Sequence, residues 1–145
     1  MLVGIGSNGA VCVRNGGNAT HLVIDVAGWF QPGTDGLAFN ATPATRLYDS
    51  RPGTPPPANT AHQVTINSVA VLSVVSAAAG AAGFLAVKPC GVTDTSSLIN
   101  NYATETYANT TAIAPGSSSA VCATGSMATH VVADQTGTFT PFIVG

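Results

Sequence analysis

His21 and Asp25, separated by three residues, return as His130 and Asp134 with the same spacing. Histidine and aspartate can hold a divalent metal, and paired they can act as an oriented general base. On a helix this spacing would bring the two side chains together. On a strand they share a face but lie about 13 Å apart, so one pair alone closes no chelate. An antiparallel pairing of the two segments would set His21 against Asp134 and Asp25 against His130. Three roles are open: satisfying nearby backbone groups, holding a divalent metal ion, or acid–base catalysis in a small hydrolase. The structural role is the simplest. A hydrolase also needs a nucleophile, and serines such as Ser50 and Ser126 are plentiful, but no G-x-S-x-G elbow is present.

A second constellation is Arg46, Asp49 and Arg51, three of the chain's ten charged residues (four basic, six acidic) within six positions. Its plain reading is a local ion pair that fixes an irregular loop. Its sharper reading is a polar clamp for a hydroxyl or carboxylate ligand. Trp29, Tyr48 and Tyr107 are candidates for a sugar-stacking platform.

The elements that must position these residues come from an internal repeat. Residues 10–32 (AVCVRNGGNATHLVIDVAGWFQP) match residues 120–141 (AVCATGSMATHVVADQTGTFTP) in register after one gap. The period of about 110 residues is that of one ordinary domain. The expected organisation is the closing part of a preceding repeat over 1–32, a linker over 33–36, and a complete repeat over 37–145. On this reading Met1 is an imposed start within a longer tandem array.

Cys12 and Cys122 hold the same repeat position, so Cys90 is the partner available to Cys122 within the complete copy. That predicts one disulfide and one stranded thiol; a reactive Cys12, with Arg14 nearby, is the alternative. A disulfide implies an oxidising compartment, hence an extracellular or cell-surface location.

Short runs rich in Val, Ile, Thr and Phe, punctuated by glycine and proline, predict an all-β fold, an antiparallel sandwich or barrel-like module. Among them are AVCVR, HLVIDVAGWF, QVTINSVAVLSVV, FLAVKPC and HVVADQTGTF, with a further strand over 102–111. Residues 69–87 carry no charge, yet their Val-rich ends around AAAGAAG predict two buried strands rather than a membrane helix. The truncated copy is expected to add extra strands. Its apolar face (Leu22, Ile24, Val26) would need cover, which predicts a homodimer through residues 1–32, or else fold-back. Only 7% of residues are charged and the net charge is −2, so there is no basic footprint for nucleic acid or an anionic membrane.

The order RLYDSRPGT, GFLAVKPCG, AVC, ATHVVADQTGTF resembles a module repeated in large secreted and surface proteins of actinobacteria and other soil bacteria. The resemblance covers residues 37–140 as one copy and 1–32 as the last third of another. Gln135 and Thr138 depart from the pattern, which the first copy keeps at Val26 and Trp29. The resemblance implies a β-sandwich in which a disulfide joins the P-C-G and V-C strands, here Cys90 and Cys122. It implies location and architecture and says little about chemistry; the expected function is a non-catalytic extracellular module without a cofactor, acting as spacer, adhesin or binder of glycan or cell wall. A small, metal-assisted hydrolase built on the repeated His and Asp is the alternative.

Overall fold

The structure, a computed structural model, describes residues 3–24, 26–33, 35–93 and 96–142. Eight strands form: β1 (Leu37–Asp49), β2 (Ala61–Thr65), β3 (Val69–Ala77), β4 (Gly83–Pro89), β5 (Ile99–Asn101), β6 (Tyr107–Ile113), β7 (Ala120–Gly125) and β8 (His130–Pro141). They make two antiparallel four-stranded sheets, ordered β1-β8-β3-β6 and β2-β7-β4-β5. The all-β sandwich expected from the sequence is the fold.

Period-two patterning dictates the layers. In β3, buried Ala70, Leu72, Val74 and Ser76 alternate with half-buried Val69, Val71, Ser73 and Val75. The buried set faces Val64, Ile66, Leu85, Ile99, Val121 and Ala123 of the other sheet. Each large aliphatic side chain removed from water here contributes roughly 1.5–3 kcal/mol. β7 and β8 are interior strands, one in each sheet, and the turn between them carries the chain across the sandwich. Thr129, in that turn, is buried and its hydroxyl bonds that of Ser76 at 2.8 Å.

Cys90, one residue beyond β4, is bonded to Cys122 of the neighbouring strand β7, with Cα atoms 4.9 Å apart. The linked residues are 32 positions apart, a loop whose closure is worth about 3–4 kcal/mol in the chain-entropy account. Cys12 is free and exposed.

Four local expectations are corrected. Residues 3–24 and 26–33 form no strand, although strands were expected at AVCVR and HLVIDVAGWF. An isolated strand pair is marginal in water, and β8 already has β1 and β3 on its two edges. QVTINSVAVLSVV is two strands in different sheets, divided after Thr65. The strand expected over 102–111 begins only at Tyr107, because Thr104 adopts a φ of +67° that no strand tolerates. Arg46 to Asp49 lie within β1, so the expected irregular loop starts only at Ser50.

Candidate functional site

Strand register puts the charged residues on the outer face of the first sheet. Asp134 of β8 stands opposite Ser73 of β3 and opposite Arg46 of β1, and Ser73 points away from the core. Arg46 donates through Nε and Nη2 to the two carboxylate oxygens of Asp134, and through Nη1 to Asp49 Oδ2 at 2.6 Å. Asp49 in turn accepts from Arg51, at 2.6 Å from Nη2, and its Oδ1 accepts the Arg51 backbone N–H at 3.0 Å. The result is a chain of alternating charge, Asp134–Arg46–Asp49–Arg51. The Arg51 side-chain and backbone donors hold the Asp49 carboxyl far below the usual carboxylate range. Arg46 is raised above its ordinary value chiefly by the hydrogen bond it donates to Asp134, and Arg51 by those it donates to Asp49. All three nitrogens of Arg46 are engaged within the chain, so this group already satisfies itself.

The expected Asp49–arginine pairing is therefore formed, with both arginines. The link to Asp134 was missed, because 88 residues separate it from Arg46 and only register joins them.

His130 is also taken up locally. Its Nδ1 lies 3.1 Å from the Ser50 carbonyl oxygen and 3.4 Å from Ser50 Oγ. Ser50 Oγ accepts the Val131 N–H at 2.9 Å, and the Ser50 N–H donates to the Val131 carbonyl at 3.0 Å. Together these bonds fasten the first turn after β1 to the start of β8. His21 is exposed, and Asp25 lies outside the described residues. The pairing that would have set residues 21–25 against 130–134 is not formed, since β8 has no open edge. No group of three or more His, Cys, Asp or Glu side chains gathers among the described residues.

The aromatic residues are arranged differently from the expected platform. Tyr48 and Tyr107 lie on β1 and β6, opposite edges of one sheet and three strand spacings apart, roughly 14 Å. Tyr107 donates to Glu105, and that bond raises its hydroxyl above the ordinary tyrosine range. Tyr48 bonds His62 Nδ1 at 2.8 Å, tying β1 to β2 between the sheets. His62 was not singled out in the sequence, where a lone histidine between alanine and glutamine gives no signal.

A different aromatic group forms where β1 begins and β8 ends. Phe39 and Phe139 face each other with ring centres 5.2 Å apart, and Phe30 leans on Phe139 at 6.4 Å. The Phe39 ring covers Gly137, where an added Cβ would collide with it. Trp29, Phe30, Leu37 and Phe142 border a shallow open cleft beside these rings. Trp29 is 75% exposed and its indole N–H donates to Gln31 at 3.3 Å. Five exposed or half-exposed rings thus gather here, with Gln31 and the acidic Asp35 beside Trp29.

Comparison with protein-family models, with curated proteins and with solved structures finds no match for this chain.

Proposed function

We propose that this chain is a non-catalytic extracellular β-sandwich module that binds cell-wall polysaccharide through the aromatic group at the β1–β8 end. The observation that carries the proposal is the exposure of Trp29, Phe30 and Phe142, at 75%, 72% and 50%, around one cleft, with Phe39, 51% exposed, packed on Phe139 beside it. Sugar rings present apolar C–H faces that stack on aromatic planes, while their hydroxyls bond neutral amides and carbonyls such as those of Gln31 and Gly36. The very low charge fits a neutral polymer, and the disulfide fits an oxidising compartment. The resemblance to surface-protein modules points to the same setting. Ser50 and His130 are spent on backbone partners, so a hydrolase draws no support from them.

Retention of the protein on insoluble cell-wall polysaccharide tests the reading. Trp29→Ala, at a site with little packing to lose, should weaken retention about tenfold, equivalent to ~1.4 kcal/mol. Equal retention of wild type and variant, or none by either, would remove this assignment. Apolar side chains along residues 3–33, such as Ile5, Val13, Leu22 and Val26, are also exposed, which supports self-association of two copies through this segment. Light scattering that finds only monomer at high concentration would exclude it.

A further inference from the structure

Two segments of this chain fit one place in the fold. Residues 120–141 form β7 and β8, which lie between β2 and β4 in one sheet and between β1 and β3 in the other. Residues 10–32 repeat them in register, yet the described part of that segment is exposed and strandless.

The requirements of the place are met at several critical positions, although buried Ala133 and Met127 have Ile24 and Asn18 as counterparts, so the exchanged core must repack there. Val121 and Val131, 0% and 1% exposed, have Val11 and Leu22 as counterparts. Thr129, whose hydroxyl bonds buried Ser76, has Thr20. Position 137 favours glycine, because the Phe39 ring lies where a Cβ would be, and its counterpart is Gly28. Cys122, bonded to Cys90, has Cys12.

Connectivity meets the last requirement. Pro141, the end of β8, stands opposite Leu37, the start of β1. Pro32 is the counterpart of Pro141, so four residues, 33–36, would join the replacing strand to β1. That is an ordinary antiparallel hairpin loop, and Gly33 within it already has a φ of +122°. Phe30 already lies against Phe139, beside the place it would take.

We propose that residues 10–32 exchange with residues 120–141 inside the same chain, giving a second closed sandwich in which the N-terminal segment supplies both interior strands. The disulfide follows without any oxidant. The Cys12 thiolate attacks Cys90 Sγ, the Cys90–Cys122 bond breaks, and Cys122 leaves as a thiolate that takes up the proton Cys12 gave away. The released segment then exposes its own apolar residues, Val121, Val131 and Val132.

The test uses the full chain, dilute, equilibrated in a reduced/oxidised glutathione buffer, trapped with an alkylating agent and mapped by peptide analysis. Wild type should contain a monomeric Cys12–Cys90 fraction, and Cys122→Ala should make that bond the main one. In that species amide protection should appear over 20–31 and disappear over 130–141. Leu22→Asp is neutral in the resident form, where Leu22 is 62% exposed, but buries a charge in the exchanged form. It should cut the Cys12–Cys90 fraction by more than about tenfold in either background. Should Cys122→Ala fail to fold, Leu22→Asp in the wild-type chain decides alone. A fraction indifferent to Leu22→Asp, a bond found only between chains, or no Cys12–Cys90 bond in a folded chain overturns the proposal.

Discussion

At the scale of single residues, Asp49 is the most informative side chain. Its carboxyl titrates far lower in the folded chain than the ordinary 3.8, because Arg51 and Arg46 donate to its ionised form. A depressed folded value means that the contribution is complete above 3.8, where both states are ionised. It is lost as the pH falls from there towards the folded value, because the unfolded chain takes up its proton first. Asp49→Asn should therefore lower the melting temperature by a few degrees at pH 7, with the gap between variant and wild type closing below about pH 3.8. Thermal melts at pH 7 and pH 3 read this directly; a gap that widens on acidification would contradict it. Gly137 provides a second case. Gly137→Ala would push the Phe39 ring off the sheet, at a cost of about 1–3 kcal/mol of overpacking, and would disturb the aromatic group along with stability. Of these residues the sequence announced the Arg46–Asp49–Arg51 cluster, because clustering is a local signal. It hid the Asp134 link and the aromatic group, because both depend on which strands become neighbours.

At the scale of elements, legibility followed the density of strand formers between turn residues. β3 is Val-rich on both faces and β8 opens with buried Val131, Val132 and Ala133, so both showed as apolar runs, although β3 was read as one run with β2. β6 (YANTTAI) mixes alanine and threonine, which differ too little to mark an inside, so its start was misplaced. β1 is exposed through most of its length and contains Pro43, so half of it read as loop. The sharpest contrast is between residues 10–32 and β7–β8, where two copies of one repeat have two structural outcomes. Strand formation there is decided by available partners and not by propensity. The turn between β7 and β8 offers a quantitative test. Thr129→Val strands the buried Ser76 hydroxyl and should cost about 1–3 kcal/mol, whereas Ser76→Ala with Thr129→Val removes both partners and should cost less than Thr129→Val alone. Chemical denaturation of the two single variants and the double variant closes this cycle.

At the scale of the whole molecule, the sandwich class and its disulfide were both written in the sequence, through strand-length runs, turn residues and the pairing of repeat positions. Reducing the Cys90–Cys122 bond should lower unfolding free energy by about 3–4 kcal/mol, measurable as a shift in the denaturation midpoint with and without reductant. With so few charges, the chain has little electrostatic repulsion to keep copies apart in a crowded solution. That burden falls on the outer strands of the two sheets. β2 and β5 run only five and three residues, too short to recruit a foreign strand. β1 runs thirteen, but its pairing with β8 slips between Ala41 and Thr45 and again between Arg46 and Tyr48, and Pro43 offers no N–H on the way. A long border of this kind is crooked and cannot template a ladder. Pro43→Val would straighten it, and the protein should then cloud at concentrations where the native chain stays clear. Along β1 that one proline would keep neighbouring copies from pairing strand to strand, which leaves the seven residues of β6 as the straighter border.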